Sequence, residues 1–168
     1  MKIFLIGFMG SGKSTIGKRL AKLLDYSFVD MDLQIEKVMG KPVISIFSED
    51  GEDFFRKTES EVLNDLIKGD NIVIATGGGC PCHSDNMKLI NQNGISIYFK
   101  MAPESLFQRL INARRERPLI SSLSQDQLLV YIKNTLNERE EYYLKSNFIV
   151  KGESLRAETL LDLLNPVM

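Results

Sequence analysis

Apolar residues along this chain follow two alternating patterns. Short, mostly apolar runs occur at 2–6, 27–30, 72–75, 95–99 and 148–150, and runs of this length predict buried strands. Longer segments between them place apolar residues three and four positions apart. Ile16, Leu20, Leu23 and Leu24 have this spacing within 14–24, as do Leu128, Leu129, Ile132 and Leu136 within 125–145; both segments predict amphipathic helices. Further helices are predicted over 33–39, 44–48, 53–67, 84–90, 103–111 and 155–164, with Gly40, Pro42 and Gly51 as breaks and Pro103 in a first helical turn. Strands alternating with helices predict an α/β protein: a central five-stranded parallel sheet, right-handed crossovers and helices on both faces.

No internal repeat or low-complexity linker divides the chain, and 168 residues fit a single domain, 1–168. With 43% hydrophobic and 26% charged residues it can bury an ordinary core, which excludes disorder and fibrous repeats. The formal net charge of -1 argues against a nucleic-acid binder and makes any local cluster of arginines informative. The opening apolar run is broken by Gly7 and Gly10 and passes into SGKST, so neither a leader nor a membrane span is predicted. A cytoplasmic monomer acting on small molecules, with no nucleic-acid or membrane partner, is expected. Cys80, Cys82 and His83 form C-P-C-H without the further ligands of a zinc site or the spacing of a haem site, and read as reduced, non-ligating thiols in a loop.

The chemistry begins at Gly7-Phe8-Met9-Gly10-Ser11-Gly12-Lys13-Ser14, a complete G-x-x-x-x-G-K-[ST] motif between a predicted strand and a predicted helix. Glycines let consecutive backbone N–H groups curl around an anion, and the helix that follows adds its positive dipole end. Gly10, Ser11, Gly12, Lys13, Ser14 and Thr15 are therefore candidate ATP contacts. Lys13 is expected to reach the β- and γ-phosphates, and the Ser14 hydroxyl to ligate Mg2+. No N-K-x-D motif, expected of a guanine-specific switch, occurs.

Asp30 and Asp32 follow in VDMD at the end of the second predicted strand. Alternate residues of an extended segment point the same way, so both carboxylates are expected to face the cradle. Asp30 is taken as a magnesium contact through water and Asp32 as acceptor of a hydrogen bond from an attacking hydroxyl. The competing reading makes Asp32 the cap of the following helix.

The runs GFMGSGKSTIGKRLA, DMD, GEDFFRKTE, ATGGG, RPLI and NEREEYY, in this order from about residue 1 to 150, resemble bacterial shikimate kinases. The resemblance implies a three-layer P-loop NTPase fold, nucleoside-monophosphate-kinase-like, with a substrate-binding insertion at about 33–67 and a lid at about 112–124. It implies transfer of the γ-phosphoryl group of ATP to the 3-hydroxyl of shikimate, with Lys13, Asp32 and Arg117 in catalytic roles. Asp32 would meet the ring hydroxyls as base or orienting group. Arg56 and Arg139 would grip the substrate carboxylate, which a planar guanidinium binds with two hydrogen bonds. The backbone of Gly77, Gly78 and Gly79 would approach a ring hydroxyl, and Phe47 and Phe55 would wall the site, with core packing the equal alternative for either. Arg117 would swing over the nucleotide phosphates as the lid excludes water.

For Arg56 the competing reading is an exposed helix charge paired with Glu52 or Glu59; for Arg139, pairing with its glutamate neighbours. The family arginine that opens the lid and packs on adenine has no counterpart at its spacing: Leu110 stands there, flanked by Arg109 and Arg114. Arg156 either approaches the nucleotide or is a surface charge. The alternatives are another small P-loop kinase, such as a gluconate or nucleoside monophosphate kinase, or a nucleotide-gated binding module.

Overall fold

The structure, a computed structural model, describes residues 1–113 and 120–167. Its apolar runs form strands β1 (Lys2–Ile6), β2 (Ser27–Asp30), β3 (Ile72–Ala75), β4 (Ile95–Lys100) and β5 (Phe148–Lys151). They make one five-stranded sheet in the order β2-β3-β1-β4-β5, and every neighbouring pair is parallel. Burial on both faces accounts for the unbroken apolar runs of the central strands.

Side-chain alternation in β1 divides the core into two layers. Ile3 and Leu5 pack with Leu20 and Ala21 of α1 (Lys13–Leu24) and with Leu160 and Leu164 of α8 (Ala157–Leu164). Phe4 and Ile6 face the opposite layer. That layer draws on α2 (Met31–Met39), α3 (Val43–Glu49), α4 (Glu52–Leu66), α5 (Asn86–Asn93), α6 (Pro103–Ile111) and α7 (Gln125–Tyr143). Helices therefore cover both faces, as the alternation predicts.

Local chemistry moves several helix boundaries from their predicted places. Helix α5 starts at Asn86 rather than 84 because Ser84 and Asp85 have φ of 51° and 55°, a left-handed conformation that a helix interior excludes. Helix α7 keeps its predicted start at Gln125, behind a capping box in which Ser124 and Gln127 satisfy each other's backbone N–H groups. Helix α8 starts at Ala157, with Arg156 as its extended N-cap residue. The largest consequence for function is at α2, which starts at Met31 and so takes Asp32 into its first turn. No helix among the described residues is long and apolar enough to cross a membrane.

Candidate active site

The carboxyl ends of β1, β2 and β3 open into one cavity of about 430 Å³, where open parallel sheets bind ligands. The turn after β1 supplies its floor. Gly10 and Gly12 have φ of 81° and 95°, a region that side chains with a Cβ rarely occupy, and Gly12 is the N-cap of α1. Lys13, only 8% exposed, donates from Nζ to the carbonyls of Gly7 at 2.7 Å and Phe8 at 3.0 Å. The ammonium is thus held inside the cradle. Ser11 is buried, whereas Thr15 is exposed at the rim of the cavity.

Asp30 and Asp32 both line the cavity, but not through the extended alternation predicted for VDMD. Asp30 is the N-cap of α2: its Oδ1 accepts from the backbone N–H of Asp32 at 3.1 Å and of Leu33 at 3.4 Å. The capping role expected as the alternative for Asp32 therefore falls to Asp30. The Ser14 hydroxyl donates to the other Asp30 oxygen at 2.5 Å, which ties the end of β2 to the start of α1. Asp32 reaches the cavity from the first helical turn, where a Cβ on Gly77 would lie 3.1 Å from its Oδ1.

Two arginines enter from opposite sides of the glycine triplet. Arg56 on α4 is 9% exposed and donates to Glu59 Oε2 at 2.9 Å and to Glu52 Oε1 at 3.2 Å. The ion pairs expected for an exposed helix charge do form, but within a buried site. A Cβ on Gly79 would lie 2.5 Å from both terminal nitrogens of Arg56, so the missing side chain makes room for the guanidinium. Arg139 on α7 stands 3.2 Å from the place of a Cβ on Gly78 and 5.8 Å above the Phe8 ring. Phe47 and Phe55 stack at 4.5 Å and line the cavity, while Phe55 also belongs to the core; both expectations for Phe55 apply.

Three further residues at the site are not evident from the sequence. Glu59 is 1% exposed, and burial raises its pKa to about 7 against the opposing pull of Arg56 and Arg139. Thr76 lines the cavity and donates from Oγ1 to the Leu5 carbonyl at 3.0 Å. Arg109 donates to the carbonyls of Ser11 at 3.2 Å, Gly152 at 3.2 Å and Glu153 at 3.1 Å. It binds the cradle to the loop after β5. Only the G-E-x-x-F-R-x-x-E spacing, which places Glu59 one turn from Arg56, carries a local signal for any of them.

Lys13, Ser14, Asp30, Asp32, Arg56, Gly77, Gly78, Gly79 and Arg139 are thus brought together. Arg156 is exposed and is not among the residues lining the cavity. Arg117, Arg114 and the centre of the predicted lid lie outside the described residues. Cys80 and Cys82 are free cysteines in a 3-10 turn, and burial raises both thiol pKa values, that of Cys82 to about 11; such thiols are poor nucleophiles. No cluster of three or more His, Cys, Asp or Glu residues suited to a metal ion occurs among the described residues.

The sequence profile of the family described as shikimate kinase matches residues 9–165. A shikimate kinase of Parabacteroides distasonis is 38% identical over 168 residues, covering 99% of this chain and 97% of that protein. The structure is similar to that of shikimate kinase from Bacteroides thetaiotaomicron, with a TM-score of 0.93 and 35% identity over 99% of this chain and 97% of that one. It is also similar to shikimate kinase from Acinetobacter baumannii in complex with shikimate, with a TM-score of 0.87 and 32% identity over 99% and 93% of the two chains. A gluconokinase from Sinorhizobium meliloti, 14% identical with a TM-score of 0.58 over 96% and 87%, shares the fold alone.

Proposed function

The chain belongs to the shikimate kinase family, and from that membership we propose that its cavity moves the γ-phosphoryl group of ATP to the 3-hydroxyl of shikimate. The observation that carries this reading is the position of Gly78. A Cβ there would lie 3.2 Å from Arg139 Nη1 and 3.4 Å from the backbone nitrogen of Met9 in the cradle. A carboxylate held by the arginines and a phosphate held by the cradle would therefore share one wall. That arrangement brings acceptor and donor together, and positioning is the main thing phosphoryl transfer asks of a protein.

Within this reading the phosphates lie over the N-terminus of α1, with Lys13 turning from the loop carbonyls to the β- and γ-oxygens. Arg56 and Arg139 bind the shikimate carboxylate, and the glycine backbone lets the ring approach. Asp32 accepts the hydrogen bond of the 3-hydroxyl; a base and an orienting group need this carboxylate in the same place. The hydroxyl oxygen bonds to the γ-phosphorus as the bond from that phosphorus to the β–γ bridging oxygen breaks, leaving ADP, and the hydroxyl proton passes to the Asp32 carboxylate if it is the base, or to water if it only orients the hydroxyl. Arg117 brings a further cation from the lid.

Mg2+ commonly takes few protein oxygens and keeps several waters. The Ser14 hydroxyl and the Asp30 carboxylate, 2.5 Å apart, are hard oxygen donors of that kind. They would hold the ion, Asp30 through water, and the bound ion would neutralise charge on the transferring phosphates. Every group invoked lies on one chain, so the proposal needs no second copy.

ADP release measured separately with shikimate, gluconate and nucleoside monophosphates as acceptors tests the reading. Turnover with shikimate and none with the others is expected. Tight ATP binding with no turnover on any acceptor would leave a nucleotide-gated binding module.

A further inference from the structure

Beside the proposed substrate arginines lies a side chain to which the reaction as described gives no role. Tyr143 is the last residue of α7 and 0% exposed. It stands one helical turn beyond Arg139, on the same face of the helix. Its hydroxyl donates to the Gly78 carbonyl at 2.5 Å. Burial holds the phenol above its ordinary pKa, so the hydroxyl keeps its proton and remains a donor; the nearby charge of Arg139 acts in the opposite sense. A tyrosine hydroxyl has one proton to give and two lone pairs to receive. Here the proton goes to the Gly78 carbonyl.

The ring itself is fixed by other contacts. It packs against Tyr98 of β4, with centroids 5.1 Å apart and planes at 48°, and the Tyr98 hydroxyl lies 3.5 Å from Glu140 Oε1. The aromatic body of Tyr143 therefore belongs to the core, while its single oxygen reaches the carbonyl of Gly78, a residue that lines the cavity.

Holding the Gly78 carbonyl has a consequence one residue further on. In a planar trans peptide the C=O of one residue and the N–H of the next point in opposite directions. Fixing the Gly78 oxygen therefore fixes the plane that leads into Gly79. Gly79 is the residue whose missing Cβ leaves room for the Arg56 guanidinium, and Gly78 is the one against Arg139. One oxygen thus sets the backbone strip against which Arg139 and Arg56 lie.

We propose that Tyr143 is a positioning residue for acceptor recognition, its hydroxyl fixing the Gly78–Gly79 peptide against which Arg139 and Arg56 lie, so that the two arginines present one carboxylate-binding fork. This rests on the reading of the cavity as a shikimate site. Tyr143→Phe removes the oxygen and keeps the ring contacts. Shikimate affinity by calorimetry and KM are expected to weaken about tenfold or more, as for a displaced binding group. The KM for ATP should stay within about twofold, a split that a general packing defect would not produce.

Tyr98→Phe removes a hydroxyl from the adjoining ring and is expected to leave shikimate affinity unchanged. Combining Tyr143→Phe with Arg139→Lys is expected to weaken shikimate by less than the product of the single effects, because both act on the same fork. Equal shikimate affinity in parent and Tyr143→Phe would overturn the inference while leaving the function intact. A parallel loss of ATP and shikimate affinity, or an equal effect from Tyr98→Phe, would also overturn it. Failure of the parent to bind shikimate would overturn both the inference and the functional reading.

Discussion

Arg56 Nη1 lies 2.9 Å from Glu59 Oε2 in an ion pair whose carboxylate is 1% exposed. The other oxygen, Glu59 Oε1, has no hydrogen-bond partner among the described residues. It points to where Gly77 lacks a side chain, since a Cβ there would lie 2.5 Å away. The pair orients Arg56 while leaving a carboxylate incompletely solvated, and each half has a measurable consequence.

The first concerns pH. Burial raises Glu59 from its ordinary 4.5 to about 7, with Arg56 pulling it down and nearby Asp32 adding to the rise. An acid whose pKa rises on folding binds more protons folded than unfolded. Its contribution to stability is therefore fully present below pH 4.5 and is lost as pH rises through 7. The loss is on the order of 3 kcal/mol at 1.36 kcal/mol per pKa unit. Urea melts of the parent between pH 5 and 8 should show this decline, and Glu59→Gln should flatten it. An unchanged slope in the variant would remove Glu59 as its source.

The second concerns Gly79→Ala. Gly79 has φ of -87° and ψ of -17°, values open to alanine, so the new methyl adds no backbone strain. It would instead meet the Arg56 guanidinium at 2.5 Å. Displacing this group is expected to raise the KM for shikimate about tenfold or more with little change for ATP. Unaltered shikimate affinity by calorimetry would show that Arg56 does not bind it.

Asp30 caps α2 and is proposed to hold Mg2+ through water, two roles that substitutions can separate. Asp30→Asn keeps an oxygen to cap α2 but loses the charge facing Ser14, so the fold should persist while the Mg2+ concentration for half-maximal activity rises. Asp30→Ala also loses the cap, which costs about 1 kcal/mol, and thermal melts should distinguish the two. An unshifted Mg2+ requirement in Asp30→Asn would exclude the metal role.

Lys13→Ala removes a buried ammonium that bonds the Gly7 and Phe8 carbonyls. Turnover should fall by about 10² to 10³ or more, as when a donor to developing charge is deleted. Circular dichroism should still report a folded protein. Retained turnover would sink the proposed contact with the phosphates.

Much of the fold was legible because its signals are local. The strands β1, β2 and β3 lie where the apolar runs placed them, and α6 begins at Pro103 as predicted. Asp30 and Asp32 show the limit of this reasoning. The sequence placed both carboxylates near the cradle, but by an alternation that the chain does not adopt there. A side-chain cap starts α2 early, and helical geometry rather than extension carries Asp32 into the cavity.

Other features could not be read because their partners are distant in sequence. Arg109 meets Gly10 and Ser11 98 to 99 residues before it, and Gly152 and Glu153 43 to 44 residues after it. Nothing near Arg109 announces these carbonyls. Tyr143 meets Gly78 across 65 positions, and in the sequence it is one of two adjacent tyrosines at a helix end.

By itself the sequence determined the phosphate cradle, because eight consecutive residues supply its bends, its N–H groups and its lysine. It also marked Arg56 and Arg139 as candidates through their family motifs. Whether those arginines would be solvated surface charges or line the cavity was decided by the tertiary structure. Burial of Glu59, the position of the glycine strip that follows β3, and the hydroxyl of Tyr143 all depend on helices packing over a sheet whose neighbouring strands are not all consecutive in the chain. Desolvation and close approach are properties of that packing, and no local pattern encodes them.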